Sequence, residues 1–505
     1  MGSINEEPPA PPQRLEALRS GHPARWLTVF GPGAVIASLT IGSGELIFSS
    51  RGGALFGYRM LSVFLLVCLL KWALTFATAR HLVLTGAHPF QRWMGLPGPR
   101  GWLPVVFLLL AIPAFPIFVS FHSGTLGTLV AALTGSSDSL EGSGYLVWGF
   151  AILVAIGTLA LTGGYRQLEI VQLVVVALLL VSTVLAVFLI RPDWFAMLKG
   201  IFTLPVTAYP DWIEKYPEIA NRPVWVELTT YVGVVGGSGY DYLAYGAFLR
   251  EKHWGNAGKT VITDEPAKIE SARDWIRAPL VDCAISFTIV FLFSAVFVAC
   301  GTEVLAVHEQ IPKGDNLLTL QAEFVAVVSP WLKPIYYAGA ILAMAGTLYG
   351  TIKVAPAILR ELARALLPEK AKLWQSSRLE RVAVIWVCLG GVVVLVLKLA
   401  TASSQQPPGL IELVTPANLF TGVFACGIIC LLSVWADQRH LSKRLRPPVV
   451  VTILNILGGI LFLFLGIKGY WDHSGSRAMF IFAGTVVAGF IGAGLILHTK
   501  RSRAR

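Results

Sequence analysis

Twelve mainly apolar stretches, each about long enough to cross a bilayer, decide what this chain can fold into. They run near 28–50, 54–79, 102–132, 146–161, 168–190, 225–248, 279–301, 333–356, 382–400, 410–435, 448–467 and 478–498. A helix needs roughly 20 such residues to span the hydrocarbon. Lipid offers no partner to bare backbone, so each stretch is expected to be helical. Composition agrees. Charged residues are 14% of the chain, against about 25% in a soluble domain, too few to cover a water-facing surface. The expected class is an all-α integral membrane protein with about 12 transmembrane helices. The net charge of +11 does not make a nucleic-acid binder, because the basic residues sit in loops between apolar runs.

Charge placement orients the chain. With both termini inside, inner segments hold 27 of the 40 Lys and Arg and outer segments hold 9; Lys71, Lys333, Lys353 and Lys398 fall within spans or at their ends. That bias alternates through all the spans, as the positive-inside rule requires. The reading is a multi-pass protein of the cell (inner) membrane with both termini cytoplasmic. Met1–Arg25 is polar and proline-rich, without the apolar core of a signal peptide, and reads as a disordered tail. Six cysteines, at 68, 283, 300, 388, 426 and 430, lie in or beside apolar runs and are expected to be reduced packing residues. The long outer segment 302–330 carries Glu303, Glu309, Asp315 and Glu323. It reads as a solvated loop, or as an acidic mouth that concentrates cations.

Glycine interrupts two spans. Gly42-Ser43-Gly44 sits mid-way in the first, followed by Glu45. Gly237-Ser238-Gly239 recurs 195 residues later, mid-way in the sixth, followed by Tyr240 and Asp241. Glycine costs about 1 kcal/mol against alanine in a helix interior. Two such breaks in register suggest unwound segments, which membranes tolerate only where they line a cavity or are buried in protein. Interruptions at corresponding places of two halves point to a transporter's central site. Close helix packing through small residues is the other reading.

Glu45 is either a ligand or a cap on an outer half-helix. Asp241 is either a site residue or the partner of a neighbouring tyrosine (Tyr240, Tyr242, Tyr245). Ser43 and Ser238 offer hydroxyls. Asn418, in the Thr415-Pro416-Ala417-Asn418 interruption of the tenth span, could turn an amide oxygen inward. Lys71 is expected to pair with an acid or snorkel, and His122 to be a satisfied buried histidine. Pro113 and Pro116 should kink the third span. No nucleophile–base pair, phosphate loop or His/Cys cluster supports an enzyme.

At these residues the chain resembles the Nramp family of divalent-metal transporters. The resemblance is carried by Gly31-Pro32-Gly33, Ala37-Ser38, the first break, Phe56-Gly57-Tyr58, Ala79-Arg80 and Thr85-Gly86. It implies a LeuT-like inverted repeat of five plus five helices with helices 1 and 6 broken. The expected layout is a tail over 1–27, one repeat over 28–190, an external loop over 191–224, a second repeat over 225–435, two further helices over 436–498 and a basic tail over 499–505. The family's metal-binding Asp-Pro-Gly-Asn falls on Gly42-Ser43-Gly44-Glu45, and its Met-Pro-His on Ser238-Gly239-Tyr240. The chain thus looks like a divergent branch, similar to the Nramp-related magnesium transporters.

The ligand set expected from the resemblance and the breaks together is Glu45, Gly42, Ser43, Ser238, Gly237, Asp241 and Asn418. It contains no thioether. Carboxylate, hydroxyl and carbonyl oxygens suit hard cations such as Mg²⁺ and Mn²⁺. The expected function is a secondary transporter for such a cation, working by alternating access, with the cation as substrate and no cofactor. Gly42 and Tyr240 stand where the family's proton-linked residues would be, so tight proton coupling is not expected. An amino-acid carrier of the amino acid–polyamine–organocation type is the alternative, since Gly-Ser-Gly also grips carboxylates there.

Overall fold

The structure is a computed structural model and describes residues 26, 29–137, 139, 143–204, 208–259, 262–313, 316–326, 329–367, 377–401 and 409–502. The tail at 1–25 lies outside them. Among the described residues, 9 helical runs are long and apolar enough to cross a membrane. The first, Pro32–Thr85, turns at Gly57, whose φ of +62° suits glycine, and so makes two spans. Tyr165–Ile190 and the divided sixth segment complete twelve.

Span 1 runs Pro32–Thr40, Ile41–Ser49 and Ser50–Phe56; span 2 is Met60–Thr85; span 3, Trp102–Thr134; span 4, Gly144–Thr162; span 5, Tyr165–Ile190. Span 6 is Val224–Val234 plus Gly239–Glu251; span 7, Arg277–Cys300 extended by Gly301–Ala306; span 8, Lys333–Leu366; span 9, Ser377–Thr401. Span 10 runs Leu410–Asn418, Leu419–Phe424 and Ala425–His440; spans 11 and 12 are Val449–Ser474 and Ser476–Ser502. Span 3 passes unbroken through Pro113 and Pro116. Spans 1, 2, 7 and 8 are mostly buried, whereas span 12 is largely exposed, as befits a lipid-facing helix. All six cysteines are free thiols.

The start of span 1 is pinned from two sides. Pro32 opens the helix with its fixed φ. The Asp282 carboxylate of span 7 accepts from the Gly31 and Gly33 amides at 2.9 and 2.7 Å. It thereby satisfies two N–H groups that a helix start leaves free. The Tyr245 hydroxyl of span 6 donates to the same carboxylate at 2.7 Å. Spans 1, 6 and 7 are therefore tied at this end by one buried acid.

Further along, spans 1 and 7 touch through glycine. A Cβ on Gly53 would press into the Val298 carbonyl, and one on Gly301 into the Ser50 carbonyl. Backbone cannot yield as a side-chain tip can, so Gly53→Val or Gly301→Val is expected to cost about 1–3 kcal/mol through overpacking. Thermal unfolding in detergent checks this. Gly339→Val, where a Cβ meets nothing, should unfold close to wild type.

The acids of 302–330 mostly hold the chain itself. Glu303 accepts from the Tyr58 hydroxyl, Glu309 pairs with Lys215, and Glu323 pairs with Lys333. Asp315 lies outside the described residues.

Candidate functional site

The two glycine interruptions fold differently. Span 1 does not unwind: Ile41–Ser49 is a π-helix, every residue of it buried. The expected break is a widened turn, a feature that recurs at functional sites. Gly42 serves close packing, since a Cβ there would strike Thr347 of span 8. Span 10 behaves alike. Pro416 lies within the helix, and π-helical Leu419–Phe424 follows Asn418 without interruption.

Span 6 does unwind, between Val234 and Gly239. Gly236 and Gly237 have φ of +81° and +96°, a region that other residues avoid. Ser238 then caps the second half. The Ser238 amide donates to Asp241 Oδ2 at 2.7 Å, so the Asp241 carboxylate satisfies a free N–H at this helix start. Asp241 thus bonds the backbone rather than a tyrosine. Tyr240 donates to the Phe107 carbonyl, Tyr242 to those of Gly236 and Gly237, and Tyr245 to Asp282.

A cavity lies against this unwound stretch. Ser43 and Thr40 of span 1, Gly237, Ser238, Tyr240 and Asp241 of span 6, and Asn418 of span 10 line it, with His122, Thr351 and the rings of Phe115 and Phe118. Among the described residues that line it, Asp241 is the one carboxylate. His122 joins three spans: Nε2 lies 3.2 Å from Ser43 Oγ and Nδ1 lies 3.4 Å from Thr351 Oγ1. It is a satisfied buried histidine and a cavity wall at once. Asn418 spends its amide nitrogen on the Thr230 carbonyl at 2.9 Å, which leaves its oxygen as an acceptor.

Five of the seven residues singled out in the sequence therefore share one cavity, while Gly42 and Glu45 do not line it. Glu45 is fully buried next to Ser294, whose hydroxyl donates to Oε1 at 3.4 Å. Its Oε2 has no hydrogen-bond partner among the described residues. Because span 1 stays helical, Glu45 caps no half-helix.

Lys71 neither pairs directly with an acid nor snorkels. Its ammonium donates to the carbonyls of Val232, Gly233, Val235 and Gly237 at 2.8, 3.1, 2.8 and 2.7 Å.

Comparison with known proteins accounts for this arrangement. The family described as "Natural resistance-associated macrophage protein-like" matches residues 33–472. The chain belongs to the Nramp family. Among curated Nramp-type relatives, the divalent metal cation transporter MntH of Levilactobacillus brevis is 28% identical over 187 residues, and that of Pediococcus pentosaceus 31% over 183. Each match covers 35% of this chain, and the chain spans only 37% and 38% of those relatives' lengths. The manganese transporter of Eremococcus coleocola, solved with an aromatic bis-isothiourea compound, superposes with a TM-score of 0.67 at 15% identity. It covers 95% of this chain and 97% of its own. The Nramp transporter fold, an integral membrane bundle, is thus shared end to end.

Sequence reading missed Thr40, Thr351 and Ser294 at this Nramp core. Each is a lone hydroxyl on an apolar helix, a pattern met throughout the chain. Nor does any signal single out the carbonyls that Lys71 holds.

Proposed function

We propose that this protein carries a hard divalent cation, Mg²⁺ or Mn²⁺, across the cell membrane by alternating access between two five-helix repeats. Both termini face the cytoplasm in this reading. One observation carries it: the cavity at the unwound turn of span 6 is lined by Asp241, by hydroxyls of Thr40, Ser43, Ser238 and Thr351, and by Asn418, with no sulfur. Hard oxygen donors suit such ions. The matched relatives are divalent-metal and manganese transporters. Among the described residues no three His, Cys, Asp or Glu side chains group to hold a metal. An ion that keeps several waters and takes one carboxylate, as Mg²⁺ does, needs no such group. Glu45 is buried outside the lining of the cavity.

The amino-acid carrier loses its basis. A π-helical Gly42-Ser43-Gly44 keeps its amides in the helix, and Asp241 would repel a substrate carboxylate.

Uptake is expected to run without tight proton coupling. Gly42 cannot titrate, and the Tyr240 proton is committed to the Phe107 carbonyl. Lys71 does not line the cavity, and its protons are committed to four backbone carbonyls. Membrane potential alone then supplies about 4.6 kcal/mol per 100 mV for a divalent ion. Proteoliposomes with a clamped potential and an internal pH dye test both statements. Mg²⁺ or Mn²⁺ entry at unchanged internal pH is expected. Acidification that tracks the metal dose would overturn uniport, and its loss in His122→Gln would identify the proton's carrier. Absence of any divalent uptake would overturn the function itself.

Selectivity offers a separate check. Ser238→Met brings a thioether to the cavity wall and should tighten Cd²⁺ at least tenfold relative to Mg²⁺ in calorimetry. A wild type that already binds Cd²⁺ far more tightly than Mg²⁺ contradicts a hard site.

A further inference from the structure

Four backbone carbonyls converge on the Lys71 ammonium, at 2.7 to 3.1 Å. Two of them, from Val232 and Gly233, belong to the end of the first half of span 6, and the others, from Val235 and Gly237, to its C-cap and the unwound turn. A helix C-terminus carries partial negative charge. Bare carbonyls at such half-helix ends coordinate small cations in carriers with discontinuous helices. Here the cation is covalently attached. Lys71 is fully buried in the middle of span 2, and its three N–H donors meet four carbonyl acceptors. The Tyr242 hydroxyl also lies within hydrogen-bond distance of the Gly236 and Gly237 carbonyls of the same turn, at 2.6 and 2.9 Å.

We propose that Lys71 is a tethered monovalent cation. It fills a carbonyl cage that span 6 would otherwise offer to Na⁺, K⁺ or ammonium, so the folded protein needs no monovalent ion. Lys71 itself does not line the cavity that holds Asp241, although the cage shares Gly233 and Gly237 with that cavity's wall. It holds the unwound turn in shape whichever divalent ion is carried, and it stands even if the carrier reading fails.

The test is thermal unfolding of the detergent-purified full chain, without divalent ions and at constant ionic strength. Wild type should unfold at one temperature in Na⁺, K⁺, ammonium or N-methylglucamine. Lys71→Ala, which opens the cage, should unfold several degrees lower in N-methylglucamine. It should regain most of that loss, saturably, with K⁺, ammonium or methylammonium. Lys71→Gln, which retains two N–H donors but no charge, should fall between the two. If Lys71→Ala purifies only with methylammonium present, that dependence is itself the expected result. A saturable Na⁺ or K⁺ stabilisation of wild type would overturn the proposal. So would a Lys71→Ala protein as stable as wild type in N-methylglucamine, or one whose loss no small cation repairs.

Discussion

Asp241→Asn is expected to lower saturable divalent uptake by roughly two orders of magnitude, about 2.7 kcal/mol of lost cation stabilisation. It should do so without unfolding the chain. The Asn oxygen can still accept from the Ser238 amide, as Asp241 Oδ2 does at 2.7 Å, and a lost cap would in any case cost only about 1 kcal/mol. What disappears is the one carboxylate on the cavity wall. Glu45→Gln makes the contrast. Glu45 lies outside the wall, beside the Ser294 hydroxyl. Its replacement should weaken uptake less than Asp241→Asn does, because it takes no carboxylate off the cavity wall. Radiotracer or dye uptake in proteoliposomes beside unfolding curves separates the two. If Glu45→Gln abolishes uptake while Asp241→Asn transports normally, the ion sits at Glu45 and this cavity is not its site.

That contrast marks where the sequence stopped being informative. The spans were legible because lipid imposes length and apolarity on each one separately. Even spans 4 and 8 appear as helices, Gly144–Thr162 and Lys333–Leu366. The place of the cavity was legible too, since Gly-Ser-Gly recurs in spans 1 and 6 and Ser43, Gly237 and Ser238 line it. The state of each interruption was not. Gly42-Ser43-Gly44 and Gly237-Ser238-Gly239 are the same tripeptide, yet one is π-helical and the other begins where backbone with positive φ ends. Neighbours decide. Gly42 is pressed against Thr347 of span 8, whereas the carbonyls before Ser238 are claimed by Lys71, over 160 residues away. Which way Glu45 and Asp241 face follows from that difference, so their relative weight could not be read in advance.

Arg51 shows the same limit in an ion pair. Charge counting places it in an outer loop between spans 1 and 2, but it lies buried within the helix Ser50–Phe56. Its Nε donates to Glu227 Oε1 at 2.5 Å, 176 residues away, and Nη1 donates to the Pro312 carbonyl at 2.8 Å. Glu227 also pairs with Arg222 at 3.1 Å and accepts from the Tyr231 hydroxyl at 2.6 Å. One carboxylate therefore serves two guanidinium groups where spans 1 and 6 meet.

Glu227→Gln should accordingly be among the most damaging single changes in the protein. Removing one partner of a buried pair leaves a charge uncompensated and costs about 3–5 kcal/mol. Arg51→Met should cost a similar amount, since it strands Glu227 with Arg222 alone. Arg51→Met/Glu227→Leu removes both charges and fills much of their volume, and such replacements are often neutral or stabilising. Arg222, about 14% exposed, can then turn toward water. The double variant should thus recover most of what either single variant loses, and unfolding curves of all four proteins measure the coupling. Single variants that unfold with wild type, or a double variant whose loss is the sum of the two, would show that the cluster contributes little. Strong coupling has a consequence for transport. Any opening between spans 1 and 6 at this end must part Arg51 from Glu227, or carry both together with the Pro312 segment as one body.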